Sequence, residues 1–396
     1  MKIKVGVIFG GETVEHEVSI ISALQAIKNI NEDKYDVVPI YIDKNRNWYT
    51  GMELLNIDNY KNSDFLFKNI IPITLCKFKD EFWLLRQKGL FKRVEDKIDI
   101  AFPIVHGVNV EDGSIAGYLE SIGIPYVGSG ILGSAIGQDK VVMKQLMKSE
   151  GLPIVDYVWF YDHEYVNDKD KIINNILKLN FPVIVKPARL GSSVGIGVVH
   201  NIDELKLAIV DAIKYDDKIV VEKVIDNLIE VNASVFGNDE YSEVSALEEV
   251  MGVDEFLSYK DKYIGGKKGA KSKGMASTNR VIPARISDEL TSEIKELSLK
   301  VFRLLNLSGV VRIDYLVDNK NSKVYVNEPN IIPGSLSFYL WKETGKDYKT
   351  LLDDLITLSI KNYKNKKKKI YSFDSNILDN VNGLKCGKGF KGKLKF

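Results

Sequence analysis

Residues 309–334 read GVVRIDYLVDNKNSKVYVNEPNIIPG, the most informative stretch of the chain for its fold. Apolar and polar residues alternate on both sides of a polar segment at 318–323, which predicts two strands joined by a turn. Arg312 and Asp314 are two apart, as are Glu328 and Asn330, so each pair shares a strand face. Pairing of the strands would gather two carboxylates, an amide and a guanidinium on one face. Such oxygen donors suit Mg²⁺ with a nucleotide, although the stretch alone fits a half-exposed hairpin with a solvated polar face more simply.

Length and composition predict a multidomain globular protein. The chain has 396 residues, 45% of them hydrophobic, so two or three domains are expected. Lys and Arg total 55 against 54 Asp and Glu, which gives no overall field that would favour nucleic acid. Residues 361–396 contain 11 Lys and 2 Asp, a net charge of +9 that leaves −8 (+1 minus +9) for residues 1–360. This basic tail is interpreted as a separate solvated extension, with an anionic partner as the alternative.

The cysteines and apolar runs predict where the protein resides. The two cysteines, Cys76 and Cys386, lie far apart and outside any metal-ligand spacing. This argues against a disulfide framework or a zinc site, and it fits a reducing cytoplasm. The start, MKIKVGVIFGG, has an apolar run of strand length without a cleavage site, so it is not expected to be a signal peptide. No run approaches the ~20 apolar residues of a membrane span. A soluble cytoplasmic protein is predicted.

Element patterns divide the chain into three folded units before the tail. Strand, glycine turn and helix over 3–29 begin a Rossmann-like, doubly wound α/β domain at 1–130. Residues 131–222 form a second unit, with a helix predicted over 131–150, and residues 223–360 form a third, which includes the hairpin 309–334 and a last helix over 348–358. The lysine- and glycine-rich stretch 259–279 is predicted to be either a disordered insertion or an active-site loop that orders on an anionic ligand.

Several polar residues at element ends suggest nucleotide contacts. The loop after Lys186, PARLGSSVG, lies between two predicted strands, and its Gly and Ser residues can expose backbone N–H groups to phosphate, although an ordinary hairpin turn fits equally well. Lys140 and Lys186 suit phosphate, but single lysines are more often solvated. Glu222 follows an apolar strand and could accept hydrogen bonds from adenine or ribose, or simply occupy a strand edge.

Three residues of the first domain suggest a substrate site. Glu15 follows the first βα turn, where open α/β sheets bind ligands, and could hold an ammonium group or only favour the following helix N-terminus. His106, at the end of a buried strand, is placed similarly, although a lone histidine is more often structural. Glu111 could brace a substrate or only help to start a helix at Ser114.

Seven motifs, in order and spacing, resemble those of D-alanine–D-alanine ligases of the ATP-grasp superfamily. They read GGETVEHEVS, HGVNVEDG, GSGILGSAIGQDK, FPVIVKPARLGSSVGIGVV, KDKY, GVVRIDY and NEPNIIPG, and the match as a whole runs over residues 4–360. The resemblance implies an ATP-grasp fold behind the N-terminal Rossmann-like domain. It also implies a cytoplasmic enzyme of cell-wall peptidoglycan synthesis and a homodimer, as family members are.

The resemblance further implies a role for each matching residue. Glu15 matches the glutamate that holds the ammonium group of the first D-alanine. Ser192 and Tyr263 match the serine and tyrosine that form a triad with that glutamate. His106 matches a histidine near the same substrate, and Glu111 matches the acid that supports this histidine. The implied nucleotide contacts are Lys140, Lys186, Ser193 and Lys262 for phosphate and Glu222 and Glu230 for adenine and ribose. The implied metal ligands are Asp314, Glu328 and Asn330. Arg312 and the backbone N–H of Gly334 match an oxyanion-stabilising pair.

The implied reaction joins two D-alanines through an acyl phosphate, with ATP and Mg²⁺, or Mn²⁺ in its place. An acyl phosphate hydrolyses in water, so the stretch 259–279, longer and more basic than usual for the family, is the expected lid. Val108 and Val110 depart from the family pattern near the first pocket. The acceptor stretch differs too: it reads SLSFYLW, with Tyr339 and Leu340 as candidate contacts, and core roles for Tyr339 and Trp341 fit equally well.

Three functions are therefore considered. The first is a D-alanine–D-alanine ligase, and the second is a related ligase that makes D-alanyl-D-serine, D-alanyl-D-lactate or another dipeptide. The third is a non-catalytic nucleotide-binding homologue. A degenerate enzyme would be expected to have lost at least one of its site residues. This chain retains Lys186, Arg312, Asp314, Glu328 and Asn330, which argues against the non-catalytic homologue.

Overall fold

The computed structural model describes residues 2–87, 93–191, 196–251, 280–373 and 375. Its strands form three sheets that follow one another along the chain. None of the helices in these ranges is both long and apolar enough to cross a membrane.

The first sheet is mixed. Its strands are β1 (Ile3–Gly10), β2 (Tyr35–Ile42), β3 (Trp48–Thr50), β4 (Ile71–Phe78), β5 (Glu81–Arg86), β6 (Val94–Ile98) and β7 (Ile100–Pro103). Its helices are α1 (His16–Ile27), α2 (Ser63–Asn69) and α3 (Ser114–Ile122), with 3₁₀ turns at Met52–Leu55 and Ile57–Lys61. The strand order is β6-β5-β4-β3-β2-β1-β7.

The first sheet differs from the predicted doubly wound domain. Only β1 pairs in parallel, with β2 and β7, whereas β3 to β6 pair antiparallel. A two-residue turn joins β4 to β5, and so short a connection permits only antiparallel pairing. The strand expected at 125–127 is reduced to a single parallel bridge between Ala101 and Tyr126.

The second sheet lies in the central unit and is antiparallel. Its strands are β8 (Tyr157–Tyr161), β9 (Val183–Pro187), β10 (Gly197–Val199) and β11 (Lys218–Lys223), in the order β10-β9-β11-β8. The surrounding helices are α4 (Ile131–Gln138), α5 (Lys140–Ser149), α6 (Asp162–Asn167), α7 (Lys169–Leu177) and α8 (Ile202–Ala212).

The single helix predicted over 131–150 is two helices. Asp139 has an extended backbone between them, and its carboxylate accepts hydrogen bonds from the N–H groups of Val141 and Val142 at 3.0 Å each. It thus serves as the N-cap of α5, because such a side chain satisfies donors that the first helical turn leaves unpaired. Lys140 consequently begins α5 instead of lying within a longer helix.

The third sheet is also antiparallel and carries the hairpin. Its strands are β12 (Leu228–Gly237), β13 (Ser242–Val250), β14 (Arg280–Val281), β15 (Gly309–Asp318) and β16 (Lys323–Asn330), in the order β14-β13-β12-β15-β16. The helices are α9 (Asp288–Leu304), α10 (Phe338–Lys342) and α11 (Tyr348–Lys366), with a 3₁₀ turn at Gly334–Ser337. The predicted N-cap Ser287 is confirmed, since its hydroxyl accepts from Leu290 N–H.

The last helix ties the C-terminal unit to the first sheet. α11 ends at Lys366, eight residues beyond its predicted end at 358 (366 − 358), and so enters the segment assigned to the tail. Its Leu351 and Leu355 are fully buried in the same core as Val5 and Phe102 of the first sheet. Burial of apolar side chains in one shared core holds the two ends of the chain together.

Candidate active site

The hairpin of β15 and β16 forms as predicted. Arg312 lies opposite Asn330 and Asp314 opposite Glu328, so the four polar residues share one face. The alternate residues of β15, Val311, Ile313, Tyr315 and Val317, are buried on the other face. Period-2 alternation has therefore separated a core face from a polar face.

On the polar face each carboxylate is paired with a cation. Arg312 Nε and Nη2 donate to the two oxygens of Asp314 at 2.7 and 2.8 Å, and Asn330 Nδ2 donates to Asp314 Oδ2 at 3.0 Å. Lys140 Nζ lies 3.1 Å from Glu328 Oε2. These five residues are called the open carboxylate cluster, because the side chains of Asp314 and Glu328 remain 20% and 26% exposed.

A second group of charges lies wholly inside the protein. Glu222 Oε2 accepts from Lys186 Nζ at 2.8 Å, and Glu222 Oε1 lies 3.1 Å from Lys144 Nζ. The side chains of Glu222 and Lys144 are each 1% exposed. We call Lys144, Lys186 and Glu222 the buried carboxylate cluster.

Burial and charge act in opposite directions on these groups. Burial would raise the pKa of Glu222, but the two ammonium groups lower it to about 2. Burial would lower the pKa of Lys186, yet Glu222 and Glu328 raise it. For Lys144 burial prevails over Glu222 and lowers the pKa. Both oxygens of Glu222 face lysines, so a contact with adenine or ribose would use the remaining lone pairs of those oxygens.

Sequence reasoning missed Lys144. It lies four residues after Lys140, one helical turn along α5, so both side chains point to the same face. The i, i+4 spacing was available in the sequence. The prediction of one uninterrupted helix over 131–150 gave no reason to single that face out.

Glu15 lies where loops from the first two sheets converge. It is 8% exposed. A Cβ atom built on Gly107 or on Gly191 would stand 2.8 or 2.9 Å from its Oε2 atom. The start of the predicted phosphate loop thus lies against Glu15, which sequence spacing alone could not place there.

His106 and Glu111 both hold the backbone of Ile332, just after β16. Glu111 accepts from the N–H groups of Gly107 and Ile332 at 2.8 Å each, and burial together with the charge of Glu15 raises its pKa to about 8. Burial lowers the pKa of His106 to about 4, although its hydrogen bond to the Ile332 backbone opposes this. His106 is therefore neutral at pH 7.

The stretch after Gly334 is largely core. Leu340 and Trp341 are 0% and 1% exposed, and Trp341 Nε1 donates to Ser234 Oγ at 2.9 Å. Tyr339 is only half-buried. Its hydroxyl donates to Glu248 Oε1 at 3.1 Å, and the guanidinium of Arg280 lies 3.8 Å from its ring centre. Among the three, Tyr339 is the side chain that lies near the polar face, because Glu248 Oε1 also accepts from Asn232, which lies opposite Asp314 in the sheet.

The open carboxylate cluster fits a hard divalent cation in its donor types. Asp314 and Glu328 face each other across the hairpin, and the amide of Asn330 lies beside them. Carboxylate and amide oxygens are the donors that Mg²⁺ and Mn²⁺ accept, with phosphate oxygens completing the shell. In the described ranges no group of three or more His, Cys, Asp or Glu side chains could hold a metal; the set on this face consists of two carboxylates and one amide.

Some predicted residues cannot be placed. The described residues do not include Ser192, Ser193, Lys262, Tyr263 or the stretch 259–279. Glu230 is on β12, and its charge contributes to the raised pKa of Lys186; its contact with adenine or ribose stays a prediction from the resemblance.

The three sheets and the lysines and carboxylates between them define an ATP-grasp fold, the fold of the solved ligases that this chain resembles. Models of the D-ala D-ala ligase N-terminus and C-terminus match residues 4–129 and 146–357. The chain belongs to the D-alanine–D-alanine ligase family and is a ligase, which argues against the non-catalytic alternative.

Its relatives match over nearly their whole length. The chain is 39% identical to the D-alanine–D-alanine ligase of Thermosipho africanus, covering 95% of this chain and 98% of that protein. It is 40% identical to that of Caldicellulosiruptor bescii, covering 94% and 99%.

Solved structures agree in fold. The D-alanine–D-alanine ligase of Coxiella burnetii matches with a TM-score of 0.77 at 27% identity, covering 93% of this chain and 96% of that chain. The VanG D-Ala:D-Ser ligase of Enterococcus faecalis matches at 0.75 and 30%, covering 91% and 100%. The Bacillus anthracis ligase complexed with ATP matches at 0.66 and 27%, covering 92% and 99%.

Proposed function

We propose that this ligase joins two D-alanines into D-alanyl-D-alanine with ATP, as a step of peptidoglycan precursor synthesis. The observation that carries the proposal is the register of the hairpin, which sets Arg312 and Asp314 against Asn330 and Glu328 beside Lys140. The names of the relatives support the substrate, and the Bacillus anthracis complex supports ATP. We also propose that the enzyme works in a reducing cytoplasm, because of its cysteine usage. We propose that it forms a homodimer, because members of the family that it resembles do so.

In the first step, a carboxylate oxygen of one D-alanine attacks the γ-phosphorus of ATP. The bond to the β–γ bridging oxygen breaks, ADP leaves and an acyl phosphate forms. Lys140, beside Glu328, and Lys186, beside Glu222, would contact the phosphates, and positioned charge is the main means of catalysing phosphoryl transfer. Glu15, at the junction of the Gly107 and Gly191 loops, would hold the ammonium group of the same D-alanine.

Mg²⁺, or Mn²⁺ in its place, would be held by Asp314, Glu328 and Asn330 and would supply positive charge to the phosphates. Asp314 is already held by Arg312 and Asn330, and Glu328 by Lys140. Because these partners fix the carboxylates before a ligand arrives, little side-chain ordering remains to be done on binding.

In the second step, the neutral amine of the other D-alanine attacks the acyl carbonyl and the C–N bond forms. The C–O bond to phosphate then breaks, and the amine proton passes to the departing phosphate or to water. Arg312 and the N–H of Gly334 would stabilise the oxyanion of the tetrahedral intermediate. A single donor of this kind is worth roughly 3 to 4 kcal/mol in transition-state stabilisation. Arg312 stays charged at any working pH, because Asp314 raises its pKa in spite of burial.

A different acceptor is the second candidate. Similarity to the VanG D-Ala:D-Ser ligase, at 30% identity, favours considering D-serine, and D-lactate is the other alternative. Tyr339 is where the acceptor's identity is expected to be decided, since Leu340 and Trp341 have their side chains in the core.

The test is a phosphate-release assay with ATP and Mg²⁺, run with D-alanine alone and then with D-serine or D-lactate added. The products are identified by mass spectrometry. We expect release with D-alanine alone and D-alanyl-D-alanine as the product. Release only with a mixed pair would establish the second candidate instead, and no release with any of them would contradict both.

A further inference from the structure

The turn that follows the hairpin has an unusual backbone. Ser335, Leu336 and Ser337 have φ values of 52°, 54° and 49°, all in the left-handed region. Three consecutive residues with side chains rarely adopt this conformation, because the Cβ atom crowds the neighbouring carbonyl. Such a turn persists only where its surroundings hold it, and it directly follows Gly334.

Helix α1 of the first domain supplies two of the contacts that hold this turn. Ser22 Oγ accepts the N–H of Ser335 at 3.0 Å, and Ser335 Oγ donates to Gln25 Oε1 at 2.5 Å. Ser22 and Gln25 are three residues apart and so lie on one face of α1. The side chain of Leu336, 2% exposed, packs into the core that α1 shares with the first sheet.

The other side of Gly334 is held from the same domain. Glu111 Oε1 accepts the N–H of Ile332 at 2.8 Å, and His106 Nε2 lies 3.2 Å from Ser22 Oγ. The backbone is therefore fixed two residues before Gly334 and one residue after it. Only Pro333 and Gly334 lie between these two fixed points, so the direction of the Gly334 N–H is tightly restricted.

We propose that Ser22 and Gln25 are positioning residues for the second chemical step, because they hold the strained turn that aims the Gly334 N–H at the oxyanion. This rests on the proposed function. The oxyanion forms only when the amine attacks the acyl phosphate, so the first step does not depend on the turn. Loss of either side chain frees the turn to relax and slows dipeptide formation alone.

The experiment measures the two steps separately in the full-length enzyme. Positional isotope exchange within labelled ATP, in the presence of D-alanine, reports formation of the acyl phosphate. Dipeptide release reports the whole reaction. For Ser22→Ala we expect dipeptide formation to fall about tenfold, less than the loss of an oxyanion donor itself, while isotope exchange stays within about twofold of wild type.

Ser19→Ala is the matched control on the same helix. Ser19 is equally buried, and its hydroxyl bonds Gly10 N–H and Ile104 O, away from the turn. We expect it to leave the ratio of the two rates unchanged. An equal fall in both rates with Ser22→Ala, or no fall in either, would overturn the proposal.

A second pair of variants keeps the test valid if Ser22→Ala does not fold. Gln25→Ala and Ser335→Ala break the same hydrogen bond, so the double variant should form dipeptide no more slowly than the slower single variant. Gln25→Glu keeps an acceptor oxygen for Ser335 and should restore most of the rate. Additive losses, or no rescue by Gln25→Glu, would contradict the positioning role.

Failure of the proposed function gives a different result. Wild-type protein would then show neither isotope exchange nor dipeptide with D-alanine. If the wild-type enzyme makes the dipeptide but Ser22→Ala keeps the wild-type ratio of the two rates, only the positioning role is contradicted.

Discussion

The open and buried carboxylate clusters use the same chemistry in different surroundings. In the buried cluster, Glu222 is 1% exposed and both its oxygens face lysines. In the open cluster, Asp314 and Glu328 keep about a fifth to a quarter of their side chains exposed. Lys140 and Lys144, one turn apart on α5, connect the two clusters.

The difference lies in how strongly each cluster depends on its ion pairs. A carboxylate enclosed by two ammonium groups depends on them for its charge, whereas a partly exposed one is also hydrated by water. Removing one partner of a buried pair leaves an uncompensated charge in the interior, which is strongly destabilising. Removing a partly exposed carboxylate should mainly affect what it binds.

The largest effect is expected from Glu222→Gln. The change leaves Lys144 and Lys186 buried without their anion, so the free energy of unfolding should fall by about 3 to 5 kcal/mol in urea denaturation. Lys144→Met is the matched control, since Glu222 keeps Lys186 and a methionine fills the space. It should cost less than about 1.5 kcal/mol. Equal losses for the two variants would contradict the claim that the loss comes from two buried lysines left without their anion.

Glu328→Gln should give the next largest effect, and on activity instead of stability. The variant loses a proposed cation ligand and the ion pair that orients Lys140. Dipeptide formation should fall by about 100-fold or more, a loss of about 2.7 kcal/mol in transition-state stabilisation. The free energy of unfolding should fall by less than in Glu222→Gln, because Lys140 keeps its hydrogen bond to the Leu190 carbonyl. The exposed Glu293, changed to Gln, is the control. Near-normal turnover in Glu328→Gln would contradict the assignment.

The smallest effect is a pH dependence of stability. The pKa of Glu222 is about 2 in the folded protein against an ordinary value of 4.5. Its contribution is therefore fully present well above pH 4.5 and is lost as the pH falls toward 2, at up to about 1.4 kcal/mol per pH unit. From pH 4.5 to 3, the wild type should lose about 1.6 kcal/mol that Glu222→Gln does not lose. Parallel curves for the two proteins, measured by urea denaturation at each pH, would show that Glu222 is not held ionised.

Local patterns were good predictors where the deciding interactions are local. Alternation over 309–334 predicted both strands and the shared face of the site residues, and it is confirmed by the register. Asp139 shows the limit. Its capping role depends on the N–H groups of Val141 and Val142, but the apolar periodicity on both sides continues through it, so one helix was predicted where there are two.

Topology was harder to predict, because it depends on which elements share a core. The last helix continues to Lys366 through a lysine-rich segment that composition assigned to the tail. Its apolar residues pack against the first sheet, not within the third unit alone. Tertiary packing routinely outweighs the local preferences of such a segment.

The sequence by itself determined the class of fold, the family and the polar face of the hairpin, because strand period and motif spacing are written in the order of residues. Only the tertiary structure decided which charges meet. Lys186 and Glu222 are 36 positions apart and Ser22 and Ser335 are 313 apart. Contacts over such separations follow from how sheets and helices pack, and no short-range pattern encodes them.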